Sequence, residues 1–189
     1  MMNPDFTRVQ LVTPRLTLRP LRASDDEDMF TVYSDPEVMQ FGSTLPWKSL
    51  EDARTSLSRT DLGMKEGQFL RLALTLGDAD RFIGDCCLFD FDQQNRHAEI
   101  GYSMGSSYWG HGYMHEALIA LINYAFQTLN MNRIEADIDP HNTASAKCLE
   151  RLGFIKEGYS RERWIVGGRL SDSALYGLLR REWAHSPGI

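Results

Sequence analysis

Ile100 to Ala117 reads IGYSMGSSYWGHGYMHEA, an apolar strand that runs into a glycine-rich loop opening directly onto a helix. Gly110 and Gly112 carry no Cβ and take positive φ without steric cost. Successive backbone N–H groups can therefore turn toward one anion at the positive end of the helix. No carboxylate lies between Glu99 and Glu116 to repel it. The chemistry that suits this pattern is phosphate binding. A P-loop would need Gly-x-x-x-x-Gly-Lys-Ser/Thr; Gly105 and Gly110 have the spacing, but His111 and Gly112 stand where the lysine and hydroxyl belong. A dinucleotide fingerprint comes closer, since Glu135 or Asp137 follows about 20 residues on. His115 is too large for the position where that helix must approach its strand, and only one βαβ unit is present. His111 and His115 have the i, i+4 spacing of a zinc helix, yet that motif's glutamate is missing, so no metal is expected.

These residues need elements to position them. Arg15 to Leu21 alternates like a half-buried strand, and Ser24 with Glu27 predicts a capping box for a helix through Tyr33. A helix follows from Ser49 to about Lys65. Phe69 to Leu76, Phe82 to Phe91 and His97 to Met104 then read as an antiparallel meander with polar turns at Gly77 to Asp80 and Asp92 to Arg96. From Tyr113 to Leu129 the apolar residues keep a 3.6-residue period, which predicts a helix packed on the sheet. Arg133 to Ile138 is a strand, Asn142 caps a helix that ends at Gly153, and strands from Ile155 to Trp164 and Leu170 to Leu179 complete the order β-α-α-β-β-β-α-β-α-β-β. The strand, crossover helix and strand between His97 and Ile138 form one parallel pair. The predicted class is α/β (α+β): a mixed, mostly antiparallel sheet of about seven strands flanked by about four helices.

At 189 residues and 42% hydrophobic, one domain over 1–189 is expected, with flexible ends at 1–12 and 185–189. A net charge of −6 with 20 scattered Lys and Arg argues against nucleic acid and favours a cationic or amine-bearing partner. With no signal-like or membrane-length apolar run, a cytoplasmic protein without a membrane partner is expected. Cys86, Cys87 and Cys148 fit neither a disulfide framework nor a metal spacing and are expected to be buried packing residues.

The segment YWGHGYMHEA, Tyr108 to Ala117, resembles the pyrophosphate motif of the GNAT superfamily of acyl-CoA-dependent N-acyltransferases, especially its RimJ/RimL-like branch. TPRLTLRPLRASD at Thr13 to Asp25, DPEVMQF at Asp35 to Phe41, AEIGYSM at Ala98 to Met104, NTASAKCLERLGF at Asn142 to Phe154 and GGRLSDSALYGLLRREW at Gly167 to Trp183 resemble it in the same order. The resemblance spans nearly the whole chain and implies a GNAT fold with a splay at its parallel pair. One departure stands out: Ser107 occupies the place, three residues before the first glycine, where the family usually has Arg or Gln. Phosphate affinity should then rest more on the backbone N–H groups from Trp109, Gly110, His111 and Gly112 to Tyr113 and Met114.

The resemblance implies acetyl-CoA as cosubstrate, held also by backbone at Tyr102, Ser103 and Met104, which would polarise the acyl carbonyl by about 3 kcal/mol. Asn142 would contact the pantetheine or acyl group, and Ser145 would sit near the sulfur. Leu149, a further expected cofactor contact, stands where many relatives have a tyrosine acid, so Ser145 or a water it orients is the expected proton source. Glu99 shares a strand face with His97, Gly101 and Ser103 and is the expected general base, with Asp137 and Asp139 as weaker substitutes. His111 is expected beside the phosphates or adenine. Phe41, Trp47, Trp164 and Tyr176 are candidates for an acceptor pocket, and the acidic run Asp25 to Asp28 for attracting a cation. The implied reaction is direct N-acetylation of a primary amine, such as the N-terminus of a protein of the ribosomal kind. A small amine or antibiotic, a non-catalytic acyl-CoA or nucleotide sensor and a dehydrogenase are the alternatives. A homodimer is left open.

Overall fold

The computed structural model describes residues 4–77 and 80–183. Thirteen regular elements follow in order: β1 (Leu11–Val12), β2 (Leu16–Pro20), α1 (Asp26–Ser34), α2 (Leu50–Lys65), β3 (Leu70–Leu76), β4 (Arg81–Asp92), β5 (His97–Met104), α3 (Tyr113–Asn123), β6 (Arg133–Ile138), α4 (Thr143–Arg151), β7 (Ile155–Val166), β8 (Arg169–Leu179) and α5 (Arg180–Trp183). The strands form one sheet in the order β1-β2-β3-β4-β5-β6-β8-β7, antiparallel throughout except between β5 and β6. The expected meander and the single parallel pair are both present. Two additions are the two-residue β1 and the one-turn α5, neither long enough to carry a periodic signal.

Alternation along the strands sends side chains into two layers. Leu72, Leu88, Ala98, Ile100 and Ile134 join Ala117, Leu118 and Leu121 of α3, Leu149 of α4 and Leu152 at its C-cap in the larger core. Met29 and Val32 of α1 and Ala53 of α2 pack against Ala73 and Phe82 in a smaller one. The helical stripe after Asn123 widens into a π turn at Tyr124–Thr128, which still buries Ala125 and Phe126.

Three local expectations change. The first helix is not started by Ser24 and Glu27: Asp25 accepts from the Arg22 backbone N–H at 2.7 Å and pairs with buried Arg19 at 2.8 Å. That carboxylate has two strong partners in one place, which outweighs a solvent-exposed hydroxyl cap. The expected loose end over 1–12 does not hold from Phe6 onward, because Phe6 is buried and donates to the Met64 carbonyl at 3.0 Å, and Leu11–Val12 pairs with β2. Residues 185–189 and part of the turn at Gly77 to Asp80 lie outside the described residues. Of the cysteines only Cys86 is fully buried; all three are free thiols. Among the described residues no helix is long and apolar enough to cross a membrane.

Candidate active site at the β5–β6 splay

The glycine loop has the conformation its composition requires. Gly110 and Gly112 lie at φ +78° and +77°, and Gly112 is the N-cap of α3. A Cβ at Gly110 would meet nothing within 4 Å, so backbone conformation rather than space demands glycine there. Trp109, His111 and both glycines are exposed, while Met114 is anchored in the larger core. Trp109 is fixed by its indole N–H, which donates to the Met104 carbonyl at 2.8 Å. His111 stacks on Tyr113 at 5.5 Å.

Sequence reasoning missed what steadies this loop. Glu116, in the first turn of α3, accepts from Thr13 Oγ1 at 2.6 Å, from the Arg15 backbone N–H at 2.9 Å and from Arg15 Nε at 2.6 Å. Arg15 Nη1 also donates to the His111 carbonyl at 2.9 Å, and the guanidinium lies 4.7 Å from the Tyr113 ring centroid. A cation that the loop's own sequence lacks is thus delivered from the turn just before β2. The only sequence signal was the match at Thr13 to Asp25, which named no partner.

β5 and β6 are paired only over His97–Glu99 with Arg133–Glu135. Beyond Glu99 the strands diverge, and Ile100 to Met104 has no ladder partner on that side, although β4 pairs with it on the other through Met104. This is the expected splay. Tyr102 reaches across toward α4, its hydroxyl donating to the Ser145 carbonyl at 3.4 Å. Asn142 Oδ1 accepts from the Ser145 backbone N–H at 3.1 Å as the N-cap of α4, leaving the carboxamide NH2 without a partner among the described residues. Leu149, expected to touch a cofactor, is instead wholly buried in the larger core. Burial pushes the Cys148 thiol up to about 11 and Cys87 up to about 12, so neither is a thiolate at neutral pH.

Glu99 sits at the foot of the splay, on the strand face opposite Ala98 and Ile100. It borders a cavity of about 350 Å³ together with Glu135, Asp137 and Glu157 and the cations Arg133 and Arg163. Gly177 of β8 makes room for that arrangement, since a Cβ there would lie 2.5 Å from Arg133 Nη2. Burial first, then the charges of Asp137 and Asp90, raise the Glu99 carboxyl to about 7, with Arg163 pulling the other way. A group so poised accepts a proton readily near neutrality.

The acceptor side is less as expected. Phe41 and Asp139 do line a second cavity, of about 540 Å³, with Glu162 and Asp172 of the β7–β8 hairpin. Trp164 is partly exposed, its indole N–H donating to Asp137 Oδ2 at 3.2 Å. Trp47, however, stacks on Tyr33 at 4.6 Å against the smaller core, and Tyr176 is only 4% exposed in the larger one. Both rings are held by packing. The acidic run is also committed: Asp25 pairs with Arg19, Asp26 with Arg54 at 3.0 Å and Asp28 with Arg81 at 3.0 Å.

Residues 15–155 match the family model described as an acetyltransferase (GNAT) domain. The chain belongs to the GNAT acetyltransferase family. This GNAT enzyme is 40% identical over 174 residues to the uncharacterized N-acetyltransferase p20 of Bacillus licheniformis, covering 92% of this chain and 98% of that one. It is 32% identical over 190 residues to the [ribosomal protein uS5]-alanine N-acetyltransferase of Escherichia coli (strain K12), covering 96% and 95%. Among solved structures, Mycobacterium smegmatis RimJ in complex with CoA-disulfide superposes with a TM-score of 0.86 over 98% of this chain and 93% of that one, at 23% identity, and shares the fold. The GNAT protein is an acetyl-CoA-dependent N-acetyltransferase of the RimJ-like branch.

Proposed function

We propose that this enzyme acetylates the N-terminal α-amino group of a protein, of the ribosomal kind, acting in the cytoplasm as a single catalytic domain. Glu99 carries the reading: a half-buried carboxyl raised to about 7, at the point where the strands part, suits a base that must relieve an ammonium group of its proton. The similarity along nearly the whole chain to an enzyme named for an alanine of ribosomal protein uS5 supports the acceptor class.

The residues present fit acetyl-CoA. The positive-φ loop and the N-terminus of α3 suit a pyrophosphate, and the unpaired edge of β5 suits an extended arm with amide groups. When bound, acetyl-CoA supplies an activated acyl carbonyl with a thiolate leaving group. Backbone N–H groups from Gly110 to Met114 hold the phosphates, the expected Trp109 N–H being taken instead by the Ser106 carbonyl at 3.1 Å, and Arg15 offers the side-chain cation that Ser107 does not. Backbone at Tyr102, Ser103 and Met104 polarises the carbonyl, the free carboxamide NH2 of Asn142 steadies the arm, and Ser145 gives a proton to the departing sulfur. Glu99 takes one from the amine.

Titration calorimetry with acetyl-CoA, NADH and ATP tests the first half of this reading: tight acetyl-CoA binding is expected, and NADH binding without it would overturn the assignment. Thiol release with alanine-initiated peptides, spermidine and an aminoglycoside tests the second. Turnover confined to the peptides is expected; binding of acetyl-CoA without turnover of any amine would instead indicate a sensor.

A further inference from the structure

The cavity beside Glu99 contains a carboxylate that the protein leaves incompletely satisfied. Asp137 lines it with a side chain only 5% exposed. Its Oδ2 is well served, accepting from Arg163 Nε at 2.7 Å and Trp164 Nε1 at 3.2 Å. Its Oδ1 is buried and has no hydrogen-bond partner among the described residues. Buried acceptors are rarely left so, and one that persists next to a reacting group calls for a ligand to complete it.

The surrounding architecture sets this up. Glu99 pairs in register with Glu135, and Asp137 lies two residues further along β6 on the same face. Arg133 is already shared by Glu135 and Glu157, so it does not neutralise Glu99 or Asp137. Arg163 and Trp164 reach Asp137 because β7 bulges: Ser160 pairs with Ser173 and Trp164 with Ser171, and Glu162 within the bulge lies at φ +50°. The cavity thus holds two more carboxylates than its arginines balance.

Resting on the acetyltransferase reading above, we propose that Asp137 is the acceptor-capturing residue: together with Glu99 it draws the substrate in as a primary ammonium ion and excludes neutral isosteres. The ammonium enters between the two carboxylates. One N–H bond breaks as its proton passes to the Glu99 carboxylate, giving a neutral amine and a neutral carboxyl. The freed lone pair then forms the carbon–nitrogen bond as the carbon–sulfur bond breaks, and the second N–H proton passes by way of the Ser145 hydroxyl to the thiolate, which leaves as the thiol. Asp137 acts as a positioning residue. Besides Asp137, the groups facing Glu99 are Asp90 of β4, Arg133 and Glu135 of β6 and Glu157 and Arg163 of β7.

The test uses n-butylammonium and n-butanol as matched probes on the full chain loaded with CoA, followed by carbon-13 NMR of glutamate carboxyls. Butylammonium is expected to bind, shifting the Glu99 resonance, whereas butanol at the same concentration is not. Asp137→Asn keeps the shape but turns the unpartnered acceptor into a donor; it should weaken butylammonium at least tenfold and move the Glu99 titration below its midpoint of about 7, with CoA affinity unchanged. Equal binding of both probes by the wild type would overturn the proposal without any variant. So would an Asp137→Asn protein that binds butylammonium normally. Failure of the wild type to bind CoA would instead strike the functional reading.

Discussion

Glu99 links stability and catalysis at a single carboxyl. Its folded-state value of about 7 lies above that of an unfolded glutamate, so the folded protein holds the proton more tightly. The stabilisation this gives is complete below about pH 4 and disappears as pH rises through 7. Glu99→Gln is therefore expected to be more stable than the wild type at pH 8 by on the order of 1–2 kcal/mol after allowance for solvent screening, and equal to it at pH 4, as read from urea unfolding at both values. Its acetyl-transfer rate should fall about a hundredfold, and the acid limb of kcat/KM near pH 7 should vanish. Arg15 is the second residue whose loss is informative. Arg15→Gln leaves Glu116 uncompensated beside the loop, so acetyl-CoA affinity should drop about tenfold in calorimetry, while S-acetylpantetheine, which has no phosphates, should bind as before. Equal losses for both ligands would show that Arg15 only holds the loop's shape.

At the scale of elements, the loop and its helix were largely legible because both rest on local rules. Positive φ at Gly110 and Gly112, a helix from Tyr113 and an N-cap at Asn142 each depend on neighbours within a few residues. Gly112→Val should thus weaken acetyl-CoA at least tenfold, and Gly112→Asn less, since asparagine tolerates the left-handed region; calorimetry on both variants checks the order. What stayed hidden depends on contacts between distant segments. Thr13 and Arg15 meet Glu116 across about a hundred positions, and no pattern within either segment announces it. The Asp25 cap was misassigned because its decisive partner, Arg19, sits on a strand. The β7 bulge was invisible for a similar reason: Ile155 to Trp164 reads as one strand, and its kink is fixed by Asp172 on β8, which accepts from the Glu162 backbone N–H at 2.7 Å. Trp47 and Tyr176 looked like pocket residues because aromatic side chains serve cores and clefts alike.

For the whole molecule, charge is distributed to purpose. The net −6 is not a uniform coat, since many surface carboxylates are paired with arginines, whereas the cavities near β6 keep an excess of acid. Attraction of a cationic acceptor should consequently be screened by salt. The acceptor KM is expected to rise several-fold between about 50 and 500 mM sodium chloride, with kcat nearly constant, in a steady-state thiol-release assay.

The parting of β5 from β6 has a mechanical meaning as well. Only three residue pairs stitch the β1–β5 half of the sheet to the β6–β8 half. That seam is where tension or heat should first pry the protein apart, and it is also where an extended ligand would lie. An acetyl-CoA arm seated there would serve as the rung the sheet lacks, so that the substrate's arrival completes the scaffold that is to act on it.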